Sequence, residues 1–163
     1  DIVISSDFTA AIPAKLGQAV ATKVFAPDGS ENWTDVDPVE VAGVKGIRPK
    51  FATITGCDAF GEESRKAPDG AVMVFEFHCT KPQTFTLAVN SRYSADFEIQ
   101  GSNDWQTLEI PAGRLRFLGD RDPLKSWSEA KSVTLQPKNG PGVTSNITWI
   151  TFKDPTWKVA AKN

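Results

Sequence analysis

Apolar and polar residues alternate along several segments of this chain. The alternation is clearest in Ala71–Cys79, Thr84–Asn90 and Asp96–Gln100, where every second residue is apolar. Successive side chains of a β-strand point to opposite faces, so a period of two predicts strands with one face in a core. Segments with helical composition are few: one is residues 10–18, which contains Pro13, and the other is a single turn within residues 126–131. The pattern therefore constrains the chain to a β-rich fold.

The predicted strands are short and are separated by turns rich in Gly, Pro, Asn and Asp. They are Ala21–Phe25, Val39–Val44, Phe51–Ile54, Ala71–Cys79, Thr84–Asn90, Asp96–Gln100, Trp105–Ile110, Ser132–Gln136 and Ile147–Lys153. Many short strands with regular turns are typical of antiparallel sandwiches and barrels. We predict an all-β, two-sheet antiparallel β-sandwich (jelly roll).

The length and net charge of the chain limit the number of domains and the classes of partner that we expect. The chain has 163 residues, enough for one domain with a core, and no linker-like segment divides residues 1–163. Its net charge of −2 favours neither a nucleic-acid partner nor an anionic membrane, and no apolar run approaches the length of a membrane span. Because the chain begins at Asp1 without a leader pattern, we expect either a removed signal or a module of a larger protein.

Two cysteines, Cys57 and Cys79, leave two alternatives open. A disulfide between them would stabilise the fold by about 3 kcal/mol through loop closure and would indicate an oxidising compartment. Two buried free thiols would instead behave as small apolar side chains. We predict the disulfide. A single His in the chain makes a Cys/His zinc site unsupported.

Trp105 is the first candidate for binding. In the strand that it begins, Leu108 and Ile110 alternate inward, which places Trp105 and Glu109 on the opposite face. Sorting the other strands by the same period predicts one second face, opposite the core, that Trp105 and Glu109 share with further polar residues, and the ones we select are His78, Asn90 and Glu98, with Arg92 beside them.

An aromatic ring with planar polar neighbours suits a sugar, because the ring packs on the C–H face of a pyranose while the polar groups bond its hydroxyls. The alternative for Trp105 is that it packs under a loop or a neighbouring domain. Trp33 and Trp127 lie in predicted loops, where aromatics serve either as exposed platforms or as plugs that close the ends of a sandwich. We keep both tryptophans as candidate ligand-binding residues.

Catalytic signatures are weak. There is no Gly-x-Ser-x-Gly elbow, no P-loop and no Gly-rich dinucleotide fingerprint. Glu98 and Glu109 lie on compatible faces for a glycosidase pair, which requires carboxylates about 5 Å apart in retaining enzymes, but any acidic sandwich offers such pairs. We therefore predict no enzymatic activity.

Two segments carry a family resemblance. The run Asn103-Asp104-Trp105-Gln106-Thr107-Leu108-Glu109-Ile110-Pro111 and the closing run Ile147-Thr148-Trp149-Ile150-Thr151-Phe152-Lys153-Asp154 resemble β-jelly-roll carbohydrate-binding modules of the galactose-binding-domain-like type. In those modules a late strand often has a Trp followed by alternating apolar residues, and the final strand often carries an acidic residue near its end. The resemblance covers most of the chain by pattern.

The resemblance implies a non-catalytic module that binds a polysaccharide or oligosaccharide and targets an appended glycan-active catalytic domain of a secreted protein. Such modules commonly hold a structural Ca²⁺ between the N-terminal region and the last strand, and Asp7 and Asp154 are the positions here that would bind it. Their ligands bind either on a sheet face or in loops at the edge of the sandwich.

Two alternatives remain. Some polysaccharide lyases are also jelly rolls, and His78, Tyr93 and Arg92 are the residues that would serve such an enzyme. A structural β-sandwich that packs on a catalytic domain is the other alternative, and in it Trp105 would be buried by the neighbour.

Overall fold

A computed structural model describes residue 30, residues 32–63 and residues 65–159. The described residues form two antiparallel sheets, so the predicted all-β, two-sheet sandwich of the jelly-roll type is confirmed. The strands are β1 (Val36–Val41), β2 (Val44–Pro49), β3 (Thr55–Cys57), β4 (Ala71–His78), β5 (Gln83–Val89), β6 (Tyr93–Ile99), β7 (Gln106–Pro111), β8 (Arg116–Phe117), β9 (Val133–Pro137), β10 (Thr151–Phe152) and β11 (Thr156–Val159).

The five-stranded sheet has the order β3-β9-β5-β6-β8. In the six-stranded sheet β4 is central. One edge of β4 pairs with β7, and the other edge pairs first with β10 and then with β11. Strand β10 also pairs with β2, and β2 pairs with β1 at the edge of the sheet. Each sheet therefore has one face toward the other sheet and one outer face. We call the two outer faces the five-stranded face and the six-stranded face.

Aromatic rings from both sheets meet in the core. Phe75 of β4 contacts Phe85 of β5 with ring centroids 5.8 Å apart, and Phe85 stacks on Phe97 of β6 at 5.6 Å. Phe77 and Phe152 contact Phe75 from their own sheet. All of these residues are buried, as the alternating pattern predicted. Contact between rings of opposite sheets is the main apolar link that holds the sandwich closed.

Helical structure among the described residues consists of single 3₁₀ turns. The turn predicted within residues 126–131 is present as Trp127–Glu129, and the Ser126 hydroxyl caps it by accepting a hydrogen bond from the Ser128 amide. The predicted strand Ile147–Lys153 is only partly right, because Ile147–Trp149 is a 3₁₀ turn capped by Asn146 and only Thr151–Phe152 is strand. No helix in the described ranges is long and apolar enough to span a membrane.

Local turn geometry corrects two other predicted strands. Val39–Val44 is a hairpin between β1 and β2, with Ala42 at φ 52° and Gly43 at φ 79°, as the two central residues of a type I′ turn require. The segment 51–54 is an exposed bend, and strand β3 begins after it at Thr55. The alternating pattern did not predict β2, β8 and β11. The predicted strand Ala21–Phe25 lies outside the described residues.

Cys57 and Cys79 are both free and buried, so the predicted disulfide is wrong and the alternative of two buried thiols holds. Cys57 is in β3 of the five-stranded sheet, whereas Cys79 follows β4 of the other sheet. The Cys79 thiol accepts a hydrogen bond from Gln83 Nε2 at 3.0 Å and donates to the Lys81 carbonyl at 3.2 Å. Burial raises the pKa of the Cys57 thiol, which keeps it in the neutral form.

Candidate functional site

Trp105 lies on the six-stranded face, away from the core as predicted, but it lies against its own sheet. The indole Nε1 donates to the Val41 carbonyl at 2.9 Å, at the end of β1. A Cβ added at Gly46 would lie 3.1 Å from Trp105 Cη2, so the far edge of the ring rests on the glycine of β2. Trp105 is therefore half-buried, with its N–H group already bonded.

His78 lies next to this ring. Its imidazole is 5.9 Å from the Trp105 ring between centroids, and its Nε2 is 2.9 Å from the Asn103 carbonyl oxygen. The residue is only 9% exposed. The prediction that His78 bonds a ligand is therefore not supported, because Trp105 and the chain at Asn103 occupy its surroundings.

Several charged side chains of the six-stranded face have partners on that face. Lys158 donates to Glu109 at 2.9 Å and Lys153 donates to Glu76 at 3.2 Å. Arg48 donates to the Thr151 hydroxyl from Nε and Nη2. The predicted binding residue Glu109 thus has an ion-pair partner within the described residues.

Glu98 lies on the opposite side of the molecule. It belongs to β6, whose Ala95, Phe97 and Ile99 are buried, so Asp96 and Glu98 extend from the five-stranded face. The predicted single binding face that joined Glu98 with Trp105 and Glu109 is therefore wrong. These residues alternate correctly along their strands, but the strands belong to different sheets. The same separation rules out Glu98 and Glu109 as a glycosidase pair.

A groove of about 560 Å³ lies beside Glu98 on the five-stranded face. We call it the Glu98 groove. Thr84, Asp96, Glu98 and Arg114 line it from the sheet side, and the loop of residues 138–143 lines it from the other. The Glu98 side chain makes no hydrogen bond or ion pair with any residue in the described ranges, so its carboxylate is available to a ligand.

Asp96 organises the wall of the Glu98 groove. Its carboxylate accepts a hydrogen bond from the Thr86 hydroxyl at 2.7 Å and pairs with the Lys138 ammonium at 3.1 Å. Partial burial raises the pKa of Asp96, but the Thr86 hydrogen bond and the charges of Lys138 and Arg114 outweigh it and hold the pKa below the usual value. Asp96 is therefore ionised at neutral pH and fixes Lys138 at the rim.

A second groove of about 530 Å³ lies at the other end of the same face. We call it the Arg92 groove. It is lined by two predicted binding residues and four others: Asn90, Arg92, Tyr93, Glu129, Lys131 and Ser132. The structure thus brings Asn90, Arg92 and Glu98 to one face, in two separate grooves.

Asn90 has a structural part in the Arg92 groove. Asn90 and Ser91 both have φ 56°, as the centre of a type I′ hairpin turn between β5 and β6 requires. The Asn90 amide donates to the Glu129 carbonyl at 2.9 Å and accepts from the Lys131 and Ser132 amides at 2.7 and 3.1 Å. Direct bonding of a ligand by Asn90 is therefore not supported, because its side chain holds the two walls of the groove together.

Small side chains cover the sheet between the grooves. Along β5 the outward residues are Thr84, Thr86 and Ala88, and Ser94 of β6 and Thr134 of β9 flank Ala88 in register. From Thr84 to Asn90 the strand extends about 20 Å. The middle of the five-stranded face is therefore covered only by small side chains, and we call it the floor; a groove lies at each of its ends.

Trp33 and Trp127 are buried in the core, at 5% and 0% exposure. Trp127 donates from Nε1 to the Ile110 carbonyl at 2.8 Å, and Trp33 donates to Asp154 at 3.0 Å. Their assignment as ligand platforms is therefore wrong, and the alternative of plugs that close the sandwich holds.

Asp154 does not fit a calcium site. Arg65 donates from both terminal nitrogens to the two carboxylate oxygens, with Nη2–Oδ1 at 2.8 Å, and Trp33 donates to Oδ1 as well. The arginine already supplies the positive charge that a cation would bring. Asp7 lies outside the described residues, so a Ca²⁺ ion elsewhere stays a prediction. In the described ranges no three His, Cys, Asp or Glu side chains come together as a metal-binding group.

The three residues that the lyase alternative requires do not lie together. His78 lies in β4 of the six-stranded sheet under Trp105, whereas Tyr93 begins β6 of the other sheet and Arg92 precedes it in the hairpin turn. Two sheets that pack face to face separate the His from the other two residues, so they do not surround a common substrate.

Sequence reasoning missed several residues of the two grooves, namely Arg114, Glu129, Lys131 and Lys138. Arg114 lies in a 3₁₀ turn and its guanidinium carbon is 4.5 Å from the centroid of the Phe97 ring. The turn composition of Lys138-Asn139-Gly140-Pro141-Gly142 indicated a loop but not what it covers. No local signal identifies these residues, because their proximity depends on strand order.

Two solved structures resemble this fold. A family 11 carbohydrate-binding module from Clostridium thermocellum, in complex with a β-1,3-1,4-mixed-linked tetrasaccharide, matches with a TM-score of 0.53 and 16% identity over 90% of this chain and 100% of that chain. The family 11 module of the cellulosomal cellulase Lic26A-Cel5E of the same organism matches with a TM-score of 0.52 and 16% identity over 90% and 99%. No protein-family model and no curated protein matches the sequence. The chain has the β-sandwich fold of carbohydrate-binding modules.

Proposed function

We propose that this chain is a non-catalytic carbohydrate-binding module whose five-stranded face binds a polysaccharide or oligosaccharide. The observation that carries the proposal is that two grooves at the ends of one sheet face are lined by planar polar side chains without partners in the described ranges, among them Glu98 and Arg92. The fold that the chain shares with two carbohydrate-binding modules supports it.

The chemistry of the grooves suits sugar hydroxyls. A carboxylate such as Glu98 accepts hydrogen bonds from adjacent hydroxyls, and a guanidinium such as Arg92 donates to hydroxyl and ring oxygens. The low floor between the grooves lets an extended chain lie along β5 and reach both ends. Binding would then depend on hydrogen bonds at the two ends more than on aromatic stacking in the middle.

We also propose the setting that the fold suggests. The module would act in a secreted protein and hold an appended glycan-active domain close to its polysaccharide. One of the similar modules belongs to a cellulosomal cellulase. The test is whether the chain, fused to an enzyme, increases product release from insoluble but not from soluble substrate.

The direct test is affinity gel electrophoresis of the wild type against β-1,3-1,4-mixed-linked glucan, other β-glucans, xylan, mannan and polyuronates. We expect retardation by at least one polysaccharide. Glu98→Ala should then weaken binding about 10- to 150-fold, because a hydrogen bond to a charged group contributes about 1.5–3 kcal/mol. Glu62→Ala, which removes an exposed carboxylate from the loop after β3, is the matched control and should bind as the wild type does.

Three outcomes contradict the proposal. Retardation that is unchanged in both Glu98→Ala and Arg92→Ala would remove the site from the five-stranded face. An absence of binding across the whole panel would favour a structural sandwich that packs on another domain. Release of unsaturated sugar ends from polyuronates would show a lyase instead.

A further inference from the structure

Trp105 is held in place on the side opposite the grooves. Its N–H group is bonded to the Val41 carbonyl, the edge of its ring rests on Gly46, and His78 packs beside it. These contacts restrict the indole to one orientation before any ligand arrives. Since the residue is half-buried, part of its ring surface remains accessible.

Polar groups flank the accessible ring. The Lys153 ammonium lies over the ring, 5.8 Å from its centroid, and pairs with Glu76 at 3.2 Å, so a sugar on the ring would bond this ammonium or displace it toward the ring edge. Both of these side chains are more than one third exposed, at 36% and 37%. A flat ring beside one exposed donor and one exposed acceptor offers an apolar surface with a polar rim.

A pyranose ring matches this arrangement. Its C–H face packs on an aromatic ring, and its peripheral hydroxyls both donate and accept. The indole N–H is already used, so the ring itself offers only its π surface, and hydrogen bonds would come from Glu76 and Lys153.

We propose that Trp105, Glu76 and Lys153 form a second saccharide-binding site, so that one domain binds two glycan chains on its opposite faces. The proposal rests on the proposed function. The two sites are independent, because the sandwich stands between them and its sheets pack about 10 Å apart. A short oligosaccharide in a groove on the five-stranded face cannot reach Trp105, whereas two long chains can be bridged by one domain.

Bridging can be measured apart from binding. Any soluble polysaccharide that retards the wild type, with β-1,3-1,4-mixed-linked glucan tried first, is mixed with increasing protein while light scattering is recorded. A bivalent wild type should raise scattering at low protein and lower it again in excess, when each chain is saturated separately. Trp105→Leu should retain retardation and lose the scattering increase.

Two further variants serve as a substitute for Trp105→Leu and as its control. If Trp105→Leu fails to fold, the paired change Glu76→Gln with Lys153→Gln removes the rim and leaves the indole and its contacts. Trp157→Phe replaces a half-buried indole that donates to the Arg65 carbonyl at the other end of the sheet, and it should scatter as the wild type does. Far-ultraviolet circular dichroism checks the fold of every variant.

The outcomes separate the two proposals. Scattering that is unchanged in Trp105→Leu and in the rim variant overturns the second site, whatever the grooves do. If Glu98→Ala with Arg92→Ala abolishes all retardation, Trp105 binds nothing by itself and the second site is again wrong, although the proposed function stands. If that groove variant binds and scatters as the wild type does, the proposed function is wrong at the grooves. If no polysaccharide retards the wild type, both proposals fail.

Discussion

The outer faces of the two sheets carry similar residues but arrange them differently. On the six-stranded face Lys153, Lys158 and Arg48 each bond a neighbour of their own face, and Trp105 lies across the strands. On the five-stranded face the outward side chains of β5 are small, and charged groups gather in grooves at its two ends. Polar groups of the same type thus differ in their surroundings, since the Glu98 carboxylate is unpaired among the described residues whereas the Glu76 carboxylate is held in an exposed ion pair, and residue type alone does not reveal this.

The largest expected effect comes from the contact that links the two sheets. Asp154 lies between β10 and β11 of one sheet and bonds Trp33, which forms a bridge with Cys57 of the other. Asp154→Ala leaves the Arg65 charge buried, so the free energy of unfolding should fall by about 3–5 kcal/mol. Urea denaturation measures this loss, and binding by both faces should weaken together.

Two controls accompany that change. Glu76→Gln breaks an exposed pair of the six-stranded face and should cost less than about 1 kcal/mol. If Asp154 held a calcium ion instead of Arg65, chelation would lower the melting temperature of the wild type as much as Asp154→Ala does. That result would contradict the arginine pairing.

The packing of the six-stranded face predicts the next effect. A Cβ at Gly46 would lie 2.8 Å from the Phe152 carbonyl oxygen and 3.1 Å from Trp105, so Gly46→Ala should destabilise the fold by about 1–3 kcal/mol and displace the indole. On the other sheet a Cβ at Gly56 would meet Thr134 Cγ2 at 2.9 Å and the Val133 carbonyl oxygen at 3.1 Å, so the Thr134 side chain has to rotate and the backbone oxygen has to move only slightly. Gly113→Ala, with open space around it, is the neutral control.

Thermal denaturation and tryptophan fluorescence together rank the three glycine variants. We expect a loss of stability in the order Gly46, Gly56, Gly113, and a shift of the emission spectrum in Gly46→Ala alone. An equal loss for Gly46→Ala and Gly56→Ala would mean that the two faces are packed alike, which contradicts the tighter packing around Trp105.

Asn90 gives a similar test for the five-stranded face. Asn90→Gly keeps the positive φ of the turn but leaves the Lys131 and Ser132 amides without their acceptor, at a cost of about 1–2 kcal/mol. Asn90→Ala adds the strain of a left-handed residue, about 1 kcal/mol more. Retardation in affinity gels should weaken in both variants, because the walls of the Arg92 groove separate. Binding unchanged in Asn90→Gly would show that the groove does not depend on this clamp.

The smallest effect concerns pH. Because the pKa of Asp96 is lowered in the folded state, its ionised form contributes stability above the unfolded value of about 3.9, and this contribution is lost as the pH falls through the folded pKa. Asp96→Asn should therefore be less stable than the wild type at pH 7 by no more than about 1 kcal/mol, since the group is exposed. The difference should vanish at the acid end of a series of urea denaturations. A difference that grows as the pH falls would contradict the lowered pKa.

Local patterns predicted the strands better than they predicted the site. The alternation in β4, β5 and β6 identified the buried rings correctly, because a period of two is a property of one strand. The same pattern did not predict the hairpin turn at Ala42 and Gly43, because valines flank the turn and make residues 39–44 resemble a single strand.

The site required information that no strand contains by itself. Glu98 and Glu109 have the same local pattern, yet strand order places them on opposite faces of the sandwich. Trp33 and Trp127 have polar sequence neighbours and are nevertheless buried, because their indole N–H groups find acceptors in the interior. Partners distant in the sequence therefore decided which predicted residues remain candidates.

The small outward side chains of β5 also bear on how such a protein could change over time. Ala88 is flanked in register by the small residues Ser94 and Thr134, so a substitution there alters the floor between the grooves without requiring a second change elsewhere. Residues around Trp105 lack this freedom, since Gly46, Thr151 and His78 fit one another. Selection or a designed library could therefore vary ligand preference along β5 one position at a time, while the Trp105 surface on the opposite face stays unchanged.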